Sequence, residues 1–240
     1  MRFFVGLHQP SDARHFEACF ISVNRLRSRK APFPVRAWIM DSGAFTTIAA
    51  HGGYPEPPEA YAAEIARWAR CGELLAAVAQ DYMCEPAMLA RTGLTVADHQ
   101  RLTIERYDVL MAARPAVRIM PVLQGYEPQE YVDHIRQYGG RLRSGAWVGV
   151  GSVCKRNGNP AAIKAVLAAI HEERPDLLLH GFGLKSTALS SEEIRAELHT
   201  ADSMSWSYAA RREGRNQNDW REAMKFALAI EAPRQMTLKI

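Results

Sequence analysis

The chain alternates short apolar runs with stretches of helical spacing, and most of the runs end on a carboxylate, a carboxamide or a glycine. Short runs of this kind, unbroken by polar residues, read as strands buried on both faces, the pattern of a parallel sheet covered by helices. The spacing predicts strands at 2–7, 37–40, 75–79, 118–123, 146–150, 177–182 and around Ala201, with a last one at 235–240. Helices are expected over 58–71, 96–114, 128–138, 160–173 and 191–198. Several have readable starts, such as Asn159 ahead of Pro160 and Ser191 ahead of Glu192 and Glu193. Seven or eight strands in this rhythm favour a compact α/β fold, a (β/α)8 TIM barrel spanning 1–240 as one domain. An open dinucleotide-binding sheet is disfavoured, because no GxGxxG turn follows the first run.

In a parallel barrel the C-terminal ends of the strands converge on one face, so distant residues can share a pocket. The strand ends here are Asp41-Ser42-Gly43, Gln80-Asp81, Gln124-Gly125, Gly149-Val150-Gly151-Ser152, His180-Gly181-Phe182-Gly183 and Asp202-Ser203. Taken singly each is ordinary: Asp-Ser-Gly is a common turn, and glycines permit tight strand-to-helix connections. Taken together they deliver a polar side chain, or a glycine that exposes backbone, at nearly every position of the barrel mouth. Asp12 also follows an apolar run, but its Gln9-Pro10-Ser11-Asp12 setting reads as a turn or cap.

Composition narrows the chemistry. Cys19, Cys71, Cys84 and Cys154 stand far apart without CxxC spacing, which argues against a structural zinc site and a disulfide framework. His8, His51 and His180 lack HxH spacing, so neither a metal nor another cofactor is expected. No apolar run approaches the roughly 20 residues that span a bilayer, and a soluble, cytoplasmic protein without a membrane partner is expected, in the host cytoplasm if phage-encoded. Only six of the 30 basic residues are lysine. Arginine's planar fork suits phosphate, so the bias fits a nucleic-acid partner, and a GC-rich genome equally. Arg211, Arg212 and Arg215, clustered just after the Asp202 segment, are the candidates for holding a phosphate backbone.

In this order the segments resemble the tRNA-guanine transglycosylase superfamily, and more closely its DpdA-like relatives that place 7-deazapurines in DNA. The resemblance runs from about residue 3 to residue 212. It is carried by Phe4-Val5-Gly6-Leu7-His8-Gln9-Pro10, by Met40 through Phe45, by Ala79-Gln80-Asp81 and by Pro121-Val122-Leu123-Gln124-Gly125. Val148-Gly149-Val150-Gly151, Gly181-Phe182-Gly183 and Ala201-Asp202-Ser203 complete it.

The resemblance implies roles. Asp202 matches the nucleophile that forms a covalent glycosyl-enzyme while guanine leaves, and Asp41 the general acid/base. Asp81, Gln124 and the backbone of Gly149, Val150 and Gly151 match positions that read the base edge, with Ser42 and Gly43 beside them. Bottom-up chemistry agrees, since a carboxylate stabilises an oxocarbenium-like centre and a covalent ester splits base exchange into two displacements. Tyr126, Trp206 and Tyr208 are candidates for stacking on the base. The tRNA enzymes carry a zinc-binding subdomain after the nucleophile, whereas no cysteine follows Cys154 here.

The expectation is therefore a compact transferase that exchanges guanine in DNA for a 7-deazaguanine such as preQ0. DNA, the incoming base and the released guanine would be its partners, with accessory proteins or a homodimer left open. A small RNA-directed transglycosylase and a non-catalytic nucleotide-binding barrel are the alternatives.

Overall fold

A computed structural model describes residues 1–156 and 158–232. Its strands are β1 (Arg2–Gly6), β2 (Ala18–Ser22), β3 (Ala37–Asp41), β4 (Glu73–Val78), β5 (Ile119–Met120), β6 (Val122–Leu123), β7 (Trp147–Val150), β8 (Leu178–Gly181) and β9 (Thr200–Ser203). All pair in parallel, in the order β5-β4-β3-β2-β1-β9-β8-β7-β6. β5 and β6 are halves of one strand broken at Pro121, which has no N–H to donate. The first half pairs with β4 and the second with β7, while Pro121 O accepts from Gly149 N–H at 2.8 Å. The sheet thus begins and ends on the same bent strand, closing an eight-position α/β barrel, as the sequence predicts.

One strand differs from expectation. The eighth position is β2, whereas the strand expected at 235–240 lies outside the described residues. β2 escaped notice because no helical spacing separates it from β1. Only a 3-10 turn, Pro10–His15, connects them, and another, Val23–Arg25, leads toward β3.

The helices α1 (Ala44–His51), α2 (Pro58–Trp68), α3 (Pro86–Thr92), α4 (Val96–Ala112), α5 (Pro128–Tyr138), α6 (Pro160–Glu173), α7 (Ser186–Leu189), α8 (Glu192–Glu197), α9 (Ser205–Arg212) and α10 (Trp220–Glu231) surround the sheet. α5 and α6 have the predicted bounds, and α2, α4 and α8 lie within the predicted spans. The side chains of Asn159 and Ser191 accept from the N–H groups of Ala162 and Ile194, as their cap positions predict. α1, α3, α7, α9 and α10 were not expected. α10 covers the flank that the first two connections leave without helices: Phe226 meets Phe3 at 6.0 Å, and Trp220 stacks on His15 at 3.9 Å.

Tyrosines from the helices and loops outside the sheet tie down the strand ends. Tyr61 donates to Val78 O at 2.9 Å, Tyr131 to Gly151 O at 2.8 Å and Tyr54 to Asp81 O at 3.0 Å. Each satisfies a buried carbonyl where the ladder runs out, which would otherwise cost about 1–3 kcal/mol. The mouth of the barrel is fixed from outside, so side chains pointing inward there hold defined positions.

Candidate active site

Strand alternation sends every second side chain into the barrel. Along the ladders Ser22 lies opposite Asp41, Phe4 opposite Asp202, and Gly149, His180 and Thr200 in one row. Above this layer opens a cavity of about 640 Å³, walled by Asp41, Asp81, Asp202 and Gln124 among others. Asp41, Asp81 and Asp202, from distant parts of the chain, therefore meet in one space, with Glu85 also at its wall.

Asp41 ends β3, and the chain turns at once. Gly43 sits in the left-handed region at φ 73° and caps α1, a conformation that favours glycine. Burial pushes the Asp41 carboxyl up to about 6, with the Asp202 charge adding to the effect. The Ser22 hydroxyl and the backbone amides of Gly43 and Ser42 oppose it by hydrogen bonding to the charged form. Ser42 and Gly43 are thus supports of Asp41 and do not line the cavity. Asn24 packs against Gly43 and donates to its carbonyl at 3.3 Å.

Asp81 is 7% exposed, and burial raises its carboxyl to about 7, with Asp41 and Glu85 adding to the rise. Against this, the Gln124 carboxamide donates to Asp81 Oδ2. With its nitrogen toward Asp81, the amide suits the ionised carboxylate, which only accepts. The other end, Oε1, accepts from the Ser152 hydroxyl at 2.9 Å, and Ser152 Oγ accepts from Cys84 N–H at 3.2 Å. Ser152 takes φ 59°, a strained value for a residue with a Cβ, while Gly151 leaves room for the carboxamide. Behind Gln124, its N–H donates to His134 Nδ1 at 2.8 Å and its carbonyl accepts from Gln100 at 2.8 Å. Burial drives the His134 imidazole down to about 3, so it is neutral and able to accept. Gln80 turns the other way, accepting from Arg106 at 2.8 Å.

Asp202, on β9, is 4% exposed. Its Oδ1 accepts from Gly183 N–H at 3.0 Å and lies 3.3 Å from His180 Nε2. The remaining walls are largely apolar, with Leu7, Phe20, Phe45, Phe182 and Met204 facing the space.

Of the base-reading candidates on and just after β7, Gly151 lines the cavity. Gly149 and Val150 lie within the strand, Gly149 making room for the Phe182 ring. Trp206 is buried and donates to Gly6 O at 2.9 Å, Tyr126 lies under Arg156, and Tyr208 is 51% exposed beneath Arg211 and Arg212. None of the three faces the cavity; Phe20, Phe45 and Phe182 do. Arg215 is engaged in ion pairs with Glu213 and Glu222, whereas Arg211 and Arg212 are exposed on α9. The arginine at the cavity is Arg25, which donates to His8 Nδ1 at 3.2 Å. Burial and then the Arg25 charge lower the His8 pKa. Its Nε2 lies 2.8 Å from Ser207 Oγ on α9. Asp12 sits in the first 3-10 turn, away from the cavity.

Sequence reading missed Ser22, Arg25 and Phe20 as site residues, because β2 itself was missed. Ser152 and His180 stood inside recognised strand ends, and Thr200 one residue before Ala201, without an assigned role. Among the described residues no group of three His, Cys, Asp or Glu side chains is placed to hold a metal ion, and no helix is long and apolar enough to cross a membrane.

A pocket that holds one hydrogen-bonded carboxylate beside two carboxyls titrating near neutrality can attack an electrophilic carbon and move protons at the same centre. No curated protein matches the chain. A family model does, over residues 1–231, and the chain belongs to that family, DpdA, DeoxyPurine in DNA protein A.

Proposed function

We propose that the protein exchanges guanine in DNA for a 7-deazaguanine base of the preQ0 type through a glycosyl ester on Asp202. The observation that carries this reading is the meeting of Asp41, Asp81 and Asp202 in one cavity, two of them raised to about 6 and 7.

In the first step a carboxylate oxygen of Asp202 bonds to C1′ as the C1′–N9 bond breaks, and the electron pair leaves with guanine. Protonated Asp41 supplies the proton that makes the departing base neutral. In the second step Asp41 takes the N9 proton of the incoming deazaguanine. N9 then attacks C1′, the ester bond breaks, and both carboxyls return to their starting state. A pKa near 6 suits a group that must give and then take a proton near neutral pH.

Asp81 accepts from the N1–H and amino group that guanine and its 7-deaza analogues share, and Gln124 holds that carboxylate in place. The apolar faces of Phe20, Phe182 and Met204 receive the ring. A base reaches such a pocket only after leaving the helical stack, at a cost of a few kcal/mol. Arg25 at the cavity, with Arg211 and Arg212 on the α9 face, holds the flanking phosphates.

The test is incorporation of labelled preQ0 into duplex DNA by the wild-type protein and by Asp202→Ala. Incorporation by the wild type and none by the variant is the expected result. Undiminished incorporation by Asp202→Ala would overturn the nucleophile, and exchange confined to tRNA would overturn the DNA substrate.

A further inference from the structure

His180 is fully buried beneath the cavity, enclosed by the rings of Phe4, Phe20, Trp147 and Phe182 at centroid distances of 4.7 to 6.5 Å. The steps above leave it unused. Its two ring nitrogens are nevertheless both engaged, Nδ1 with Thr200 Oγ1 at 2.8 Å and Nε2 with Asp202 Oδ1 at 3.3 Å. Thr200 Oγ1 also accepts from Trp147 Nε1 at 2.8 Å.

The donor inventory gives this chain one direction. Indole nitrogen can only donate, so Trp147 takes one lone pair of Thr200 Oγ1, and with a single hydrogen on the imidazole, on Nε2, the threonine hydroxyl donates to His180 Nδ1. Carboxylate oxygen can only accept, so the imidazole hydrogen lies on Nε2 and points at Asp202. Every donor in the row Trp147, Thr200, His180 is then used, with the neutral tautomer and no surplus charge. Register produces the row: His180 and Thr200 are opposite one another in the β8–β9 ladder, and Asp202 lies two residues along on the same face.

Both His180 Nε2–H and Gly183 N–H aim at the same oxygen, Oδ1. We propose that His180 is a positioning residue, held by Thr200 and Trp147, which makes Oδ2 of Asp202 the attacking oxygen and Oδ1 the carbonyl oxygen of the glycosyl ester. The inference rests on the Asp202 reading above. Oδ2 forms the bond to C1′ as the C1′–N9 bond breaks, the electron pair departs with guanine, and Oδ1 keeps its two donors throughout.

The test combines kinetics with a measurement that needs no turnover. In single-turnover release of labelled guanine from DNA, His180→Leu should slow the step about 10- to 100-fold, the scale of a hydrogen bond to a charged group. DNA affinity should stay unchanged. Thr200→Val should show part of the same slowing, and Thr200→Ser, which keeps the hydroxyl, should recover the rate. Nitrogen-15 NMR of histidine-labelled wild-type protein should show the hydrogen on His180 Nε2. A hydrogen on Nδ1 overturns the inference whether or not exchange is detected. A folded His180→Leu with the wild-type rate also overturns it. Asp202→Asn is run in parallel: if it still releases guanine, the nucleophile assignment falls, and if it is inactive while His180→Leu behaves as wild type, the positioning role alone falls.

Discussion

The carboxamide of Gln124 donates to Oδ2 of Asp81 and accepts from the hydroxyl of Ser152, so its two ends are spoken for by different elements of the barrel mouth. That arrangement leaves the carboxylate oriented toward the cavity before any base arrives. Gln124→Ala should therefore weaken base selection more than folding. Expected is a fall of about 10- to 100-fold in kcat/KM for the incoming deazaguanine, the scale of a lost hydrogen bond to a charged group. Competition with adenine would show selectivity relaxing in the variant, and an unchanged preference would count against Asp81 and Gln124 as readers.

Asp81 also sets a pH dependence of stability. Its folded-state carboxyl titrates at about 7, above the ordinary value of 3.8, so the native protein holds a proton that the unfolded chain has already released. The native state binds more protons across that interval, and stability falls as pH rises toward about 7. Asp81→Asn removes the effect. Its stability relative to wild type should improve between pH 5 and pH 8 by about 2 kcal/mol, read from urea unfolding at both pH values. A difference independent of pH would mean that the carboxyl is not raised.

Asp41 governs the first chemical step through its proton. With a carboxyl at about 6, single-turnover guanine release at saturating DNA should decline above that pH, approaching tenfold per unit. Asp41→Asn should remove the limb and slow release by roughly 10²- to 10⁴-fold. A variant that keeps both rate and limb would exclude Asp41 as the acid.

The arginines divide by their partners. Arg25, Arg211 and Arg212 should each contribute to DNA binding, and replacing one by alanine should weaken affinity at all sequences and reduce the salt slope by about one. Arg215, paired with Glu213 and Glu222, should not. Arg215→Ala is expected to leave the salt slope unaltered and to cost little stability, because water and salt screen an exposed ion pair. Fluorescence titrations across a salt series distinguish the two sets.

Much of the barrel is legible in the chain because burial on both faces leaves unbroken apolar runs, as in Trp38-Ile39-Met40, and because the turn at Asp41-Ser42-Gly43 uses residues suited to it. β2 is not legible in the same way. Ala18-Cys19-Phe20-Ile21 is equally apolar, but the 3-10 turn ahead of it supplies no 3.6-residue period to set it off. With β2 went its inward residues Phe20 and Ser22 and the adjoining Arg25. The row of Trp147, Thr200 and His180 is hidden for another reason. Local spacing says which residues form strands, while ladder register decides who faces whom, and His180 meets Thr200 across β8 and β9. A basic cluster likewise reveals charge without revealing whether a carboxylate has claimed it; Glu222, which holds Arg215, lies on a helix that the spacing did not predict.

The cover of β1 by α10 has a consequence for biosynthesis. β1 is made before the other strands of the barrel, yet its partner β9 (Thr200–Ser203) and the helix that shields its outer face, α10 (Trp220–Glu231), are made much later. Until Phe226 reaches Phe3, the opening strand has only β2 on one edge and an apolar flank open to water. Nascent chains stalled before α10 should therefore be the ones that engage chaperones, and the barrel should close as a late, nearly single event once α10 emerges.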